Sequence, residues 1–416
     1  MSFLQKCEFK KARQLFSKGL QTEFTPDEFK AIWAAHKSKS GDYHRLPGCL
    51  ILQEHDGITL FFPGRFGKKE VDIQLYIDRE GKISTFLFCP PEVRTAFESN
   101  RLNFMLLDYV RSEKFIEHEV TFGAGDYKLP GTLTLPVGSG PFPVVILVHG
   151  TGPNDRNESI GPNKPFKDIA TGLAGQEIAV FRYEKRTRLY PDKCAVQEDF
   201  TVWEETVYDA VEAMKMLMRV KKIDSKNIFL LGHSLGGALV PRIAKKGQLL
   251  KGFIILAGST RLLEDMVLEQ LNYIFNLDAV ISRTERKSLY AVQKVVREIK
   301  KLYRNEEVST DKFFNAGRKY WLDLKNYKPA AAARKLKRPL LILQGRRDYQ
   351  VTMQDFNNWK QSLNGRRNVV FKSYPALNHF FIYGKGKSSP AEYKKKGYVS
   401  LQVIHDIVDW VKENTD

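Results

Sequence analysis

Ser234 stands in Gly232-His233-Ser234-Leu235-Gly236, with a third glycine at Gly237. An apolar run of strand length, Ile228–Leu231, precedes it, and a segment that can be helical follows. This is the G-x-S-x-G pattern of a nucleophile elbow, in which a sharp strand-to-helix turn lifts the serine hydroxyl clear of a sheet. Gly232 and Gly236 flank the serine because side chains there would collide with the neighbouring strand and helix. A serine hydroxyl is a poor nucleophile at neutral pH, so it needs a general base, and the base needs a group to orient it. Where an elbow carries such a serine, the order along the chain is serine, acid, histidine. Asp348 follows the apolar run Leu340–Gln344, and His379 follows the run Val369–Tyr374. The expected roles are His379 as general base and then acid, and Asp348 as the group that holds its tautomer and stabilises the imidazolium.

The developing oxyanion needs two N–H donors. Leu235 supplies one at the start of the helix after the serine. Thr151 is expected to supply the other, from the loop His149-Gly150-Thr151-Gly152-Pro153 after the strand Val144–Val148. His149 and His233 are read as structural residues of the loop and the elbow. His36, His44 and His55 lie near turns and a helix end of the leading region and read as ordinary histidines, while His405 falls in the last helix. Asp355 and Asp323 are the competitors to Asp348 for the acid.

The elements that must position these groups alternate. Val144–Val148, Ile178–Tyr183, Ile228–Leu231, Phe253–Ala257, Leu340–Gln344 and Val369–Tyr374 are apolar strands. Helices at Lys164–Gln176, Asp199–Val220, Gly236–Lys246 and Gly397–Asn414 separate or follow them. That alternation implies a mostly parallel sheet with helices on both faces. The rhythm breaks between Arg261 and Leu336, a helical, charged stretch read as a cap inserted over the carboxyl ends of the strands. The amphipathic stretch Tyr290–Tyr303 within it offers a homodimer surface as an alternative.

The leading region has a different pattern. Phe9, Ala12, Leu15, Phe16 and Leu20 recur at helical spacing, and Thr25-Pro26-Asp27-Glu28 is a capping box that starts a second helix. Cys49–Gln53 and Ile58–Phe62 flank the hairpin signal Asp56-Gly57. Val71–Ile77 alternates, and Ile83–Phe88 returns. The expected organisation is a small α+β domain over residues 1–90 and a connecting segment over 91–116, with a mixed helical stretch at Asn103–Arg111. A catalytic α/β domain over 117–416 follows, with its cap at about 261–336.

The formal net charge is +18, from 66 Lys and Arg against 48 Asp and Glu. The basic residues are scattered, with no tail and no recognition motif for nucleic acid, so the charge reads as solvated surface. Four cysteines without C-x-x-C spacing imply free thiols rather than zinc ligation or a disulfide scaffold. No signal-peptide core and no run of membrane-spanning length is present, so the expectation is a cytoplasmic protein that works off the membrane.

The run HGTGPNDRNESIGPNKPFKDIATGLAGQEIAVFRYEKRT (His149–Thr187), the GHSLGG elbow and QGRRDYQV together resemble bacterial α/β-hydrolase-fold serine esterases of the EstD-like group. The resemblance covers roughly residues 117 to 416, and the long first run is its most specific part. Residues to about 90 are similar to a domain of unknown function found before such esterases, with an NTF2-like or cystatin-like shape. The resemblance implies an α/β-hydrolase fold and serine carboxylesterase activity on short acyl chains, with the triad on Ser234, Asp348 and His379. It also marks Asp155-Arg156 and Arg182-Tyr183-Glu184-Lys185-Arg186 as typical of the group. Read from the residues, the second cluster is a strand end whose charges pair and fix loops.

The function expected is hydrolysis of small carboxylic esters through an acyl-enzyme, with no metal and no organic cofactor. An acyltransferase or serine peptidase would use the same triad. A non-catalytic binding or scaffold protein is the reading from another class. Arg346-Arg347, beside Asp348, are read first as surface arginines, with a preference for negatively charged esters as the alternative.

Overall fold

The computed structural model describes residues 8–415, except 24, 47–48, 54–56, 92–93, 95–111 and 279. The chain divides into two compact units, Met1–Phe104 and Met105–Asp416. The helical stretch expected at Asn103–Arg111 lies wholly outside the described residues, and so do Cys7 and, at the expected hairpin turn, His55 and Asp56.

The first unit packs helices on an antiparallel sheet. Its principal helix, Pro26–Ser40, begins at the expected capping box: Thr25 Oγ1 accepts from the Glu28 N–H, and Glu28 Oε2 accepts from the Thr25 N–H at 2.9 Å. Phe29 and Trp33 on this helix are buried, and Phe29 meets Phe86 edge-on at 4.9 Å. Phe86 belongs to a four-stranded sheet of Leu50–Gln53, Gly57–Phe62, Asp72–Asp78 and Ile83–Cys89, paired in chain order. The stretch from Phe9 to Leu20 is not one helix, as its spacing implied. It forms two short ones, Phe9–Arg13 and Lys18–Glu23. Between them the backbone bonds to the strand at Ile83, with Ser17 N–H to Ile83 O at 2.8 Å and Ile83 N–H to Leu15 O at 2.9 Å. A free sheet edge competes for backbone hydrogen bonds, and here it outweighs helical propensity.

The second unit is built on eight strands: β1 Phe115–Phe122, β2 Leu129–Pro136, β3 Phe142–Val148, β4 Ala179–Tyr183, β5 Ile223–His233, β6 Gly252–Leu256, β7 Leu340–Gly345 and β8 Val369–Tyr374. Their order is β8-β7-β6-β5-β3-β4-β2-β1. All neighbours from β8 to β4 are parallel, and β2 pairs antiparallel with both β4 and β1. The helices that cover the sheet are α1 Pro165–Ala174, α2 Tyr208–Leu217, α3 Leu235–Lys246, α4 Leu263–Phe275, α5 Arg283–Tyr303, α6 Arg318–Lys325, α7 Met353–Ser362 and α8 Leu401–Glu413.

Burial on both faces explains why these strands read as continuous apolar runs. Val144, Ile146 and Val148 of β3 join one core with residues of α2, α3 and α7, while Val145 and Leu147 join the other with residues of α1 and α8. This is the α/β-hydrolase fold. The stretch expected as one long helix from Asp199 opens instead with a π-helical turn, Trp203–Val207, before α2. Between β6 and β7 the chain is helical as expected (α4, α5, α6 and Pro329–Ala333), with one small hairpin of Lys312–Phe313 and Ala316–Gly317. Val296, Ile299 and Leu302 of α5 are buried within the chain, while Tyr290 is exposed. No described helix is long and apolar enough to cross a membrane.

Candidate active site

Ser234 follows directly on β5 and caps α3, with φ 53° and ψ −117°. A non-glycine residue rarely adopts positive φ, and holding one there needs a surrounding structure that leaves no alternative. The glycines supply that structure. A Cβ on Gly232 would lie 2.4 Å from Gly236 O, and one on Gly236 would lie 2.4 Å from Val148 O. The elbow therefore closes only with glycine at both positions, which is the collision read from the sequence.

The β7 and β8 loops bring the other two groups together. His379 Nδ1 lies 2.7 Å from Asp348 Oδ2, and both side chains are buried. A carboxylate only accepts, so the ring donates from Nδ1 and leaves Nε2 with its lone pair. Asp348 is itself held: its Oδ1 accepts from the Gln350 and Val351 N–H groups at 2.8 and 2.9 Å, and its Oδ2 also accepts from Gln344 Nε2 at 3.1 Å. Ser234 and His379 line one cavity of about 260 Å³, together with Thr151, Leu235, Ile160 and Phe380. Helix α4 of the inserted segment contributes Leu263, Met266, Val267 and Gln270 to its wall. No hydrogen bond joins Ser234 Oγ to His379 in this conformation; such bonds often tighten only when substrate is bound.

The two expected oxyanion donors are unspent. Among the described residues, neither the Thr151 N–H nor the Leu235 N–H donates to a protein acceptor. Leu235 is the first residue of α3, where an N–H has no intrahelical partner. The loop of Thr151 runs against the serine, since a Cβ built on Gly150 would stand 3.6 Å from Ser234 Oγ. The adjacent Gly150 N–H is already taken by Glu158 Oε1 at 2.6 Å.

Glu158 was not among the groups picked out from the sequence. It is fully buried and its other oxygen lies 2.9 Å from His233 Nδ1, close enough for an ion pair though not aligned as a hydrogen bond. His233 Nε2 donates to the His379 carbonyl at 3.1 Å, which ties the elbow to the histidine loop. Burial opposes the charged form of both groups, but their mutual attraction outweighs it: His233 is raised and Glu158 lowered from their ordinary values. His233 thus has the structural place expected of it.

His149 packs between Phe166 and Tyr183, each ring centroid 5.2 Å away. Burial pushes its pKa down to about 4, with Glu158 pulling the other way. The folded state therefore keeps His149 neutral where the unfolded chain takes up a proton, and stability is lost as pH falls below the ordinary value. We expect wild type to lose stability relative to His149→Phe by up to ~1.4 kcal/mol per pH unit from 6.5 downward, levelling off near 4. Urea unfolding of both proteins at a series of pH values reads this directly, and parallel pH profiles would refute it.

The paired arginines do not serve the cavity. Arg347 bonds Glu392 and the carbonyls of Lys385 and Gly386, and Arg346 reaches Ser373. Neither arginine lines the cavity, since Arg346 bonds a residue of β8 and Arg347 the loop around Glu392, so the alternative of a preference for anionic esters finds no support in the cavity wall. Asp355 is buried and binds Thr260 and Arg261, and Asp323 binds Arg242 and Trp203, so both competitors of Asp348 hold other elements together. The strand-end charges are paired as read, though mostly to partners outside their own cluster: Arg182 to Glu117, Lys185 to Glu205 and Arg186 to Asp209, while Arg156 takes Glu119 and Glu184. Among the described residues no group of three or more His, Cys, Asp or Glu is arranged to hold a metal ion. Cys89 and Cys194 are free thiols.

Residues 140–384 match Hydrolase_4, described as serine aminopeptidase, S33, and residues 1–86 match DUF3887, a protein of unknown function. Esterase EstD of Thermotoga maritima is 37% identical over 404 residues, covering 97% of this chain and 91% of its own length. Among solved structures, Est1E from Butyrivibrio proteoclasticus with ferulic acid bound is 15% identical with a TM-score of 0.47, over 71% of this chain and 98% of that one. An esterase of Pyrococcus furiosus is 15% identical with a TM-score of 0.45, over 73% of this chain and 92% of that one.

Proposed function

This chain belongs to the Hydrolase_4 family and is a hydrolase, and from that premise we propose that it is a serine carboxylesterase acting on small carboxylic esters. The observation that carries the reading is the buried His379–Asp348 pair opening on the same cavity as the strained Ser234. In the proposed sequence His379 Nε2 takes the proton of Ser234 as its Oγ attacks the ester carbon. The carbonyl oxygen becomes an oxyanion facing the Thr151 and Leu235 N–H groups. The tetrahedral species collapses, His379 returns the proton to the leaving alcohol, and the acyl group remains as an ester on Ser234. Water, deprotonated by His379, then releases the acid and restores the serine. Every group used comes from one chain, so the reading needs no second copy.

The cavity volume of about 260 Å³ supports small substrates, since pockets for drug-sized ligands run from ~300 to ~1,000 Å³. Leu263, Met266 and Val267 give it an apolar wall. The family description favours a second reading, an aminopeptidase. Such an enzyme needs an acidic partner for the substrate's ammonium group. The one carboxylate among the described residues lining the cavity, Glu158, is already committed to His233 and the Gly150 N–H.

A panel of p-nitrophenyl esters from acetyl to lauroyl, run beside leucine p-nitroanilide, separates the readings. We expect turnover of the short esters, a fall beyond hexanoyl and no anilide hydrolysis. Faster anilide than ester hydrolysis would replace the esterase reading with the peptidase one. Ester consumption that yields a new ester with an added alcohol in place of acid would make it an acyltransferase.

A further inference from the structure

The charges buried beside residue 150 play no part in the chemistry above, yet they converge on one peptide group. Lys185, just past β4, is only 2% exposed. Its Nζ donates to Gly150 O at 2.7 Å and to Glu205 Oε1 at 2.6 Å. Glu205 sits in the π-helical turn before α2, and its Oε2 accepts from Tyr320 OH at 2.7 Å. Tyr320 lies on α6 of the inserted segment and is also buried. Asn154 Nδ2 adds a weaker donor to Gly150 O at 3.2 Å.

The carbonyl of Gly150 and the N–H of Thr151 are two ends of the same peptide unit. A trans peptide is planar, and its C=O and N–H point in opposite directions. Whatever fixes the carbonyl therefore aims the N–H. An ammonium on the carbonyl also polarises the unit and strengthens the N–H as a donor. A lysine is seldom so fully buried, because the charge needs a partner, and Glu205 supplies it.

We propose that Lys185 is the positioning residue of the oxyanion hole, aiming the Thr151 N–H through the Gly150 carbonyl, and that Glu205 and Tyr320 couple it to the seating of α6. This rests on the esterase reading. A salt bridge that only holds the fold together would affect stability without selecting the transition state.

The test compares wild type with Lys185→Met, Tyr320→Phe and the double variant Lys185→Met/Glu205→Gln. The double variant leaves no buried charge unpaired, so it stays folded where the single change does not. Measurements are kcat and KM on p-nitrophenyl butyrate, inhibition by an alkyl trifluoromethyl ketone, which forms an oxyanion on the serine, and near-ultraviolet circular dichroism. Loss of one oxyanion donor lowers kcat by ~10²- to 10³-fold. For the double variant we expect a fall of about 10²-fold in kcat, a KM within about 3-fold of wild type, and ketone inhibition weakened in step with kcat. Tyr320→Phe keeps the lysine pair, and its kcat falls less. A folded double variant with wild-type kcat and ketone affinity overturns the proposal, as does a change confined to KM. Wild-type protein that hydrolyses no ester and takes no serine-directed label removes the esterase reading and this inference with it. An active wild type beside an unaffected double variant removes the inference alone.

Discussion

Ser234→Ala is expected to lower kcat on p-nitrophenyl butyrate by about 10⁴- to 10⁶-fold, the range seen when a serine nucleophile is deleted. The fold should survive the change. Ser234 Oγ makes no hydrogen bond among the described residues, so its loss strands no buried partner there. The backbone strain at φ 53° remains with alanine, which is no worse suited to it than serine. Stability should therefore stay within about 0.5 kcal/mol of wild type. The measurement is kcat after titration of active sites, with labelling by a fluorophosphonate followed by mass spectrometry. Wild type should gain one adduct at Ser234 and the variant none. A variant that keeps a tenth of wild-type activity, or that labels as well, would mean that another group attacks the ester.

Asp348→Asn is expected to lower kcat by about 10⁴-fold with the protein still folded. Four donors meet this carboxylate. Oδ1 takes the Gln350 and Val351 N–H groups, and Oδ2 takes His379 Nδ1 and Gln344 Nε2. Asparagine has one oxygen, and two backbone N–H groups claim it. Its NH₂ then faces His379 Nδ1, which must give up its proton to accept. The proton moves to Nε2, where the base is needed, and the ring can no longer receive the serine proton. The same NH₂ also faces Gln344 Nε2, which is held in place by the Val351 and Gly345 carbonyls at 2.8 and 3.1 Å. That clash of donors should cost about 1–3 kcal/mol of stability. Steady-state kinetics and thermal melts read the two effects separately. A kcat within tenfold of wild type would show that Asp348 does not set the tautomer of His379.

Much of this arrangement was legible because buried parallel strands write themselves as apolar runs. Ile228–Leu231, Leu340–Gln344 and Val369–Tyr374 each lie within an observed strand, and Ser234, Asp348 and His379 follow those strands at the same sheet edge. The Thr25 capping box was legible for a similar reason, since its hydrogen bonds close within four residues. The two helices at Phe9–Arg13 and Lys18–Glu23 were not, because the helix is broken by a strand near Ile83 that no local pattern reveals. The partner of Arg347 is hidden in the same way: Glu392 lies 45 residues on.

The sequence by itself determined the order of Ser234, Asp348 and His379 and the strand ends that carry them. Strand alternation and the glycine spacing of the elbow are local, and local pattern places each residue on an edge of the sheet. The tertiary structure alone decided which charges meet. Glu158 reaches His233, and Lys185 bridges Gly150 and Glu205, with Tyr320 behind it. Each of these pairs joins elements far apart in the chain. A buried charge takes its partner from whatever the packed backbone brings within about 3 Å, and that is set by the packing of whole elements rather than by the residues beside it.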